Sequence, residues 1–321
     1  MKIVIPGGSG QVGQILARAF ASDGHEVVIL SRRPDPTAVG RHVPWDGVTK
    51  AGWTEELEGA DAVINMAGRS VNCRYNARNR AEILDSRVDS TRVLRQAIAG
   101  ARNPPPVWLN ASTATLYRHA LDRPMDEETG EFGGNEPGVP DTWNFSIKVA
   151  KEWEREFFEG DLPATRRVAL RSAMTMSPDK GGVFDVMLGL VRVGLGGTNG
   201  SGRQFVSWIH EADFIAAIRH LLARPEIDGP VNLCSPNPIP NREFMATLRR
   251  AWGIPFGLPA TEWMMEIGAL ALKTETELVL KSRRVVPGRL LEDGFAFRFP
   301  HWDGAARDLC DRWRDRVAGR A

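Results

Sequence analysis

Three glycines near the amino terminus have the spacing that most directly suggests chemistry. They form Gly7-x-x-Gly10-x-x-Gly13, between the β-branched run at residues 3–5 and an apolar segment with helical spacing. Glycines in such a turn permit a tight bend, let the backbone approach a pyrophosphate and let helix and strand pack closely. The unpaired N–H groups at the start of the helix attract phosphate. The alternative is an ordinary glycine-rich turn. The predicted dinucleotide-binding residues are Gly7, Ser9, Gly10, Gln11, Val12 and Gly13.

The end of the second predicted strand indicates which dinucleotide binds. Residues 26–30 are followed by Ser31, Arg32 and Arg33. Sites for NAD carry an acidic residue at this tip, whereas guanidinium groups match the 2′-phosphate of NADP. The pattern therefore favours NADP(H) over NAD(H), and Asp35 keeps NAD(H) as the lesser alternative. A solvated turn that contacts no cofactor is the other interpretation.

Small residues follow a later predicted strand at residues 62–66. Asn65, Ala67 and Gly68 at its carboxyl end would let the backbone lie close to a ribose or nicotinamide. We predict that these three residues contact the cofactor. A plain transition from strand to loop is the alternative.

These candidate residues require a chain in which strands and helices alternate. The strands are predicted at residues 2–5, 26–30, 62–66, 107–110 and 167–170, and the later helices at 79–101 and 143–158. Repeated βα units with short connections predict the α/β class, a Rossmann-type doubly wound parallel sheet.

The pattern changes after about residue 172, where glycine and proline become frequent. A strand at 205–210, a helix at 213–222 and a strand at 231–233 are predicted, then helices from about 241 anchored by Trp252, Trp263, Trp302 and Trp313. We predict an NADP-binding Rossmann domain at 1–172, to whose sheet residues 204–235 return. A smaller, mostly helical substrate-binding domain would comprise 173–203 and 236–321.

Bulk properties exclude several classes of function. The net charge of +1 over 321 residues gives no electrostatic case for nucleic acid or membrane binding. Cys73, Cys234 and Cys310 lack the spacing of a metal site or a disulfide framework. The predicted first strand starts at residue 2, which leaves no signal peptide, and the apolar stretch 263–272 is too short to span a bilayer. We expect a cytoplasmic protein that binds a small molecule and no metal.

Longer motifs resemble the extended branch of the short-chain dehydrogenase/reductase superfamily. The matching segments are Gly7–Gly13, Asp61–Gly68, Asp85–Arg87 with Thr91 and Arg92, Gly200–Gln204, Ser207–His210, Gly229–Asn232, Ser235–Pro238, Val286–Leu291 and Gly294–Phe295. They are most similar to an atypical subfamily of epimerase-like proteins with a small C-terminal domain of unknown function. The resemblance covers nearly the whole chain and implies an NADP-binding domain in a nucleotide-sugar-epimerase-like architecture. It also allows a homodimer through the two long helices beside the sheet.

The usual catalytic pair of that superfamily is incomplete in this chain. The pair is Tyr-x-x-x-Lys on one helix face, where the lysine lowers the pKa of the phenol. Lys148 is present, but position 144 is asparagine, and an amide cannot carry the proton. The two tyrosines, Tyr75 and Tyr117, have no lysine four residues later.

The resemblance still assigns catalytic roles to three residues. Thr113 falls at the position that binds a substrate hydroxyl, Tyr117 is the phenol nearest to it in sequence, and Lys148 could hold the nicotinamide ribose. The alternatives are a strand residue for Thr113, a half-buried aromatic ring for Tyr117 and a solvated lysine for Lys148.

Three later residues are candidates for contact with substrate. Arg203, in a Gly-Ser-Gly-Arg loop, suits an anionic group, and Trp208 and His210 follow in the next predicted strand. The alternative for His210 is a histidine that only begins a helix.

Two functions remain open. The first is an NADP(H)-dependent oxidoreductase or epimerase-like enzyme for a small nucleotide-sugar-like or carbonyl substrate. The second is an NADP(H)-binding sensor or scaffold without turnover, which Asn144 favours. Hydrolase chemistry has no support, because the chain contains no Gly-x-Ser-x-Gly motif.

Overall fold

A computed structural model describes residues 1–261, 264–265 and 275–319. The strands are β1 (Lys2–Pro6), β2 (Glu26–Ser31), β3 (Arg41–Pro44), β4 (Ala62–Asn65), β5 (Val107–Thr113), β6 (Arg166–Ser172), β7 (Met174–Met176), β8 (Phe205–Val206), β9 (Trp208–His210), β10 (Gly229–Leu233) and β11 (Ile239–Pro240). The longer helices are α1 (Gln11–Ser22), α2 (Ala77–Ala99), α3 (Asp141–Phe158), α4 (Val183–Arg192), α5 (Glu211–Ala223) and α6 (Asn241–Trp252). Further helices cover Glu277–Leu280, Gly288–Glu292 and Trp302–Val317, and short 3₁₀ turns cover Gly52–Leu57 and Ala114–Leu116.

Seven strands form one sheet in the order β3-β2-β1-β4-β5-β6-β10. Neighbouring strands in it are parallel, and β1 pairs with β2 on one side and β4 on the other. The chain order reverses between β1 and β4, and ligands of such sheets bind in the crevice beyond the carboxyl ends at this point. The predicted doubly wound parallel sheet is confirmed.

Helices cover both faces of this sheet, because its strands are apolar on both sides. On one face, Leu16 and Phe20 of α1 and Phe214 of α5 pack on the strands. On the other face, Leu94 of α2 and Phe157 of α3 are buried against them. The sheet is therefore the middle layer between two layers of helices.

The return of residues 204–235 to the sheet is shorter than predicted. Only β10 joins the large sheet, while β8 pairs with β11 and β9 pairs with β7 in two small sheets. The expected strand at 205–210 is interrupted at Ser207, whose hydroxyl donates to the carbonyl of Arg283 at 2.7 Å and accepts from the Val285 N–H at 2.9 Å. The sequence analysis also missed β3, which is short and carries no fully buried residue.

The C-terminal region has an apolar core of its own among α4, α6 and the helix Trp302–Val317. The ring of Trp302 stacks on Phe244 at 4.0 Å, and Trp313 meets Trp252 edge to face at 5.4 Å. The predicted anchor Trp263, and most of the apolar stretch 263–272, lie outside the described residues. Within the described part of the chain, no helix has the length and apolar character needed to cross a membrane.

Candidate functional site

The glycine turn lies at the carboxyl end of β1, beside the reversal point of the sheet. Gly7 has a φ of +72°, and a Cβ on it would fall 2.6 Å from the Cα of Ala67. A Cβ on Gly13 would fall 2.5 Å from the Cα of Gly8. Packing alone therefore requires glycine at positions 7 and 13.

Gly10 has a different environment from the other two glycines. A Cβ there would meet only the Gly7 carbonyl oxygen, at 3.4 Å, so the space above Gly10 is open. Gly10 precedes the first turn of α1, and no side chain of the described residues caps this helix. The first-turn N–H groups of Gln11, Val12 and Gly13 can therefore bind an anion together with the helix dipole. Open backbone at Gly10 and free amides at α1 fit a dinucleotide pyrophosphate.

Ser9 and Ser31 connect the glycine turn to the tip of β2. The Ser31 hydroxyl donates to Ser9 Oγ at 3.1 Å and accepts from the Arg33 N–H at 3.2 Å. Arg32 and Arg33 themselves are exposed. Asp35 is engaged elsewhere: its Oδ1 accepts from the N–H and hydroxyl of Thr37, and these bonds lower the pKa of the carboxyl. The tip thus presents two exposed cations, and one oxygen of the nearby Asp35 carboxylate is bonded to Thr37.

A buried amide pair holds the end of β4. Asn65 donates from Nδ2 to Asn110 Oδ1 at 2.7 Å, and its Oδ1 accepts from the Ala67 N–H at 3.0 Å. The pair fixes the loop that carries Ala67 and Gly68. A Cβ on Gly68 would lie 3.2 Å from Cζ of Arg87, so this loop separates the glycine turn from an arginine of α2.

Residues 177–182 form a second wall beside α1 that the sequence analysis did not identify. Arg18 pairs with Asp179, and the side chain of Gln11 leaves no room for a Cβ at Gly182. The predicted substrate domain therefore reaches the first turn of α1. A Gly-Gly pair before a helix was the only sequence signal, and it did not indicate its partner.

The predicted catalytic residues do not form one constellation. Thr113, partly exposed, ends β5, and its Oγ1 accepts from the Thr115 N–H at 3.1 Å. Asn144 and Lys148 lie one turn apart on α3, where Lys148 is exposed. Oδ1 of Asn144 is buried and has no hydrogen-bond partner among the described residues.

The structure argues against the predicted acid/base role of Tyr117. Its ring is 1 % exposed, its hydroxyl donates to Asn232 Oδ1 at 2.9 Å, and it accepts from Arg171 Nη1 at 2.9 Å. Arg171 in turn forms a two-pronged ion pair with Glu154. Burial raises the pKa of Tyr117 to about 12. This phenol is a buried residue whose hydroxyl is committed to two side-chain partners.

Trp208 and His210 are likewise structural residues, and the predicted contact with substrate finds no support. Trp208 is fully buried and its ring lies 5.0 Å from Trp302. His210 caps α5 by accepting the Ala212 N–H at Nδ1, and Nε2 lies 3.0 Å from Asp308. The alternative, a histidine that begins a helix, describes it correctly.

Arg203, by contrast, is exposed in its loop and is free to meet an anionic ligand. No cluster of three or more histidine, cysteine, aspartate or glutamate side chains in the described residues has the geometry to hold a metal.

A C-terminal segment at residues 277–283 packs on the end of β5, which the sequence analysis also missed. Lys281 donates from Nζ to the Thr115 carbonyl at 2.7 Å, and Arg283 donates from Nε to Thr115 Oγ1 at 3.1 Å. Glu277 accepts from the hydroxyl of Ser146 on α3. Burial and the charge of Arg283 lower the pKa of Lys281 to about 7. These contacts join distant parts of the chain. The sequence showed that the residues are charged, but it did not show which partners they meet.

The reversal point, the glycine turn and the open start of α1 define a Rossmann-type dinucleotide-binding protein. Residues 3–234 match the model of the NAD dependent epimerase/dehydratase family, and residues 260–309 match a domain of unknown function, DUF1731. The chain belongs to the NAD dependent epimerase/dehydratase family.

The similarity to these relatives extends over nearly the whole chain. The chain is 31% identical over 314 residues to epimerase family protein SDR39U1 of Bos taurus, covering 96% of this chain and 99% of the bovine protein. It is 29% identical to epimerase family protein YfhF of Bacillus subtilis, covering 96% and 98%. The crystal structure of human epimerase family protein SDR39U1 (isoform 2) with NADPH matches at a TM-score of 0.83 and 29% identity, covering 97% and 99%. The predicted resemblance is confirmed.

Proposed function

We propose that this protein binds NADP(H) and acts as an oxidoreductase or epimerase-like enzyme on a small nucleotide-sugar-like or carbonyl substrate. The observation that carries the proposal is the open backbone above Gly10, at the uncapped start of α1. A pyrophosphate needs this combination of space and free N–H groups. The human relative crystallised with NADPH supports the same cofactor.

The choice of NADP(H) over NAD(H) is supported by the tip of β2. Arg32 and Arg33 are exposed beside the Ser9–Ser31 pair. Asp35, the carboxylate that could hold a ribose hydroxyl instead, bonds to Thr37. A 2′-phosphate would therefore meet two guanidinium groups, which suit its charge and geometry.

Different residues of the crevice would bind different parts of the cofactor. The turn from Gly7 to Gly13 would bind the pyrophosphate, while Asn65, Ala67 and Gly68 would line the nicotinamide end, with Lys148 on the ribose hydroxyls. The bound nicotinamide would supply or accept a hydride. Thr113 would orient the substrate oxygen through its hydroxyl.

Proton transfer in this proposal does not use Tyr117, because its hydroxyl is committed to Asn232 and Arg171. Asn144 cannot ionise. We assign proton transfer to a relay through solvent water or through a group of the substrate itself.

A binding protein without turnover is the second candidate, and Asn144 is the observation that favours it. Calorimetry with NADPH and NADH, followed by NADPH oxidation with carbonyl compounds and nucleotide sugars, separates the two. Tight NADPH binding together with substrate-dependent oxidation supports the enzyme. Tight binding with no oxidation across the panel supports the sensor or scaffold, and absence of binding removes both.

Two further predictions belong to this proposal. A cytoplasmic location is inferred from three cysteines that are widely spaced in sequence and unpaired in the structure. We also predict a homodimer that forms through α2 and α3. Light scattering on the purified protein measures its mass and so tests whether a dimer forms.

A further inference from the structure

The outer face of helix α4 is apolar and exposed to solvent. Val186, Leu190 and Val193 recur on this face at helical spacing, and all three side chains are exposed. The opposite face packs into the C-terminal core through Phe184, Leu188 and Val191. A surface helix normally presents polar side chains to water. Helix α4 is instead apolar on both faces, and only the inner face is buried.

The two charged side chains of α4 are both held away from the outer face. Asp185 accepts a hydrogen bond from Trp313 Nε1 at 2.7 Å, and Cζ of Arg192 lies 4.5 Å from the centre of the Trp313 ring. Both side chains therefore lie on the side of the helix Trp302–Val317. No charged residue of α4 is left on the outer face to oppose its removal from water.

Residues beyond α4 extend this apolar surface. The Leu195 N–H donates to the Leu190 carbonyl at 2.9 Å, and the Leu258 N–H donates to the Gly194 carbonyl at 2.8 Å. The ring of Phe256 lies 3.3 Å from where a Cβ on Gly194 would stand. We call the resulting group of exposed side chains the α4 patch; it consists of Val186, Leu190, Val193, Leu195, Phe256 and Leu258.

The α4 patch is large enough for self-association. Its six side chains are each between 39% and 69% exposed and together present roughly 600 Å² to solvent, at the upper end for the largest apolar patch of a monomeric protein. A standard interface removes about 800 Å² from each partner, and about two-thirds of that area is apolar between identical subunits. The α4 patch alone would supply the apolar part of such an interface.

The pattern along α4 is also complementary to itself. If two copies of the helix pack antiparallel about the midpoint between Gly189 and Leu190, Val186 of one copy lies opposite Val193 of the other, because both are equally far from the midpoint. A Cβ on Gly189 would meet nothing within 4 Å, so the middle of the outer face is open to close approach. Leu190 would lie near the two-fold axis and meet its own copy.

We propose that the α4 patch is an interface between two copies of this chain, related by a two-fold axis that passes beside the middle of α4. The occupant of the patch is thus the same patch on a second copy. This inference does not depend on the proposed function. The homodimer predicted through α2 and α3 would use a different surface, and none of the exposed large apolar side chains of the described residues lies on those two helices.

Sedimentation velocity over a range of protein concentrations tests the proposal, with the wild type, Leu190→Glu, Val193→Glu and the control Val48→Glu. Val48 is 59% exposed and lies outside the α4 patch. We expect a dissociation constant in the micromolar range for the wild type and for Val48→Glu. It should be at least tenfold higher in Leu190→Glu, because two glutamates then face each other across the axis. Where the wild type is associated, the mass of Leu190→Glu should be half as large.

The variant Leu190→Cys gives an independent measurement, because the two copies of position 190 would lie close together at the axis. Oxidation should link Leu190→Cys into a disulfide-bonded dimer, and it should link neither the wild type nor Val48→Cys.

A wild type that is monomeric at every concentration overturns the proposal. Association that is unchanged in both Leu190→Glu and Val193→Glu also overturns it, and assigns the contact to another surface, such as that of α2 and α3. If Leu190→Glu does not fold, as judged by circular dichroism, Val193→Glu and Leu190→Cys carry the comparison. Unchanged association of the first together with no cross-link in the second then contradicts the proposal.

Discussion

Residues three positions apart at the tip of β2 have opposite consequences for cofactor choice. Arg32 and Asp35 are both exposed, and Oδ1 of Asp35 accepts two hydrogen bonds from Thr37. Arg32→Ala should weaken NADPH binding by about 1–3 kcal/mol, the size of a charge-assisted hydrogen bond, and leave NADH binding nearly unchanged. Calorimetry with both cofactors measures the difference.

A matched control for this prediction is Arg41→Ala, because Arg41 pairs with Glu56 at the far edge of the sheet. Its affinity for both cofactors should equal that of the wild type. Equal losses for NADPH and NADH in Arg32→Ala would remove the 2′-phosphate assignment.

Tyr117 gives a second prediction at the residue scale. Tyr117→Phe removes the hydrogen bonds to Asn232 and Arg171 and leaves those buried groups without this partner. We expect a loss of about 1–3 kcal/mol in the free energy of unfolding, with NADPH affinity unchanged. Urea denaturation and calorimetry measure the two quantities. Unaltered stability with a large loss of turnover would restore the acid/base role of this phenol.

At the scale of a secondary-structure element, NADPH binding depends on the start of helix α1. Gly10→Val places a branched side chain in the open space above the turn, where only the Gly7 carbonyl is near. The backbone at Gly10 is extended, with φ −74° and ψ 166°, a conformation that valine adopts readily. NADPH binding should fall by at least a hundredfold while the circular dichroism spectrum stays that of the folded protein, because the pyrophosphate can no longer approach.

Gly52→Val is the control for this change, since a Cβ at Gly52 meets nothing within 4 Å. It should bind NADPH as the wild type does. Retained binding in Gly10→Val would mean that the glycine motif serves only as a turn.

The histidine that caps helix α5 makes the free energy of unfolding depend on pH. Burial lowers the pKa of His210 to about 4, below its unfolded value near 6.5. Between these values the folded state binds fewer protons than the unfolded state, so stability is fully present above about pH 6.5 and falls as the pH drops towards 4. His210→Asn keeps a side chain that caps helices but does not titrate.

Urea denaturation from neutral to acidic pH should show a steeper loss of stability for the wild type than for His210→Asn. The difference should reach about 2–3 kcal/mol at the acid end. Asp308 and Arg312 lie beside the ring and are unchanged in both proteins. Parallel pH profiles would contradict the assignment of this effect to His210.

At the scale of the whole molecule, buried polar bonds join the sheet to the C-terminal region. Asn232 of β10 donates from Nδ2 to the Val286 carbonyl at 2.9 Å. Glu127 accepts from the Asn232 N–H at 2.7 Å and from the Arg289 N–H at 3.3 Å. Lys281 reaches the end of β5 in the same way. Breaking either region would expose buried polar groups of the other.

We therefore expect the predicted Rossmann and substrate-binding regions to unfold in one transition. Far-UV circular dichroism reports mainly on the helices throughout the chain, and tryptophan fluorescence reports on tertiary packing in both regions, at residues such as Trp108 and Trp302. Urea transitions followed by both probes should coincide. Two separated midpoints would show that the regions are independently stable.

The sequence by itself determined the sheet and the dinucleotide turn, because both rest on local patterns. Apolar runs alternating with helical periodicity specified the βα units, and the glycine spacing specified a turn whose packing requires glycine at Gly7 and Gly13. The absence of a proton-carrying side chain at Asn144 was equally visible.

Only the tertiary structure decided which polar residues meet and which are buried. Tyr117 and His210 have the side chains of catalytic residues, but their partners Asn232 and Asp308 are more than ninety residues away in sequence. Burial and pairing depend on contacts between distant segments, and sequence periodicity does not contain that information.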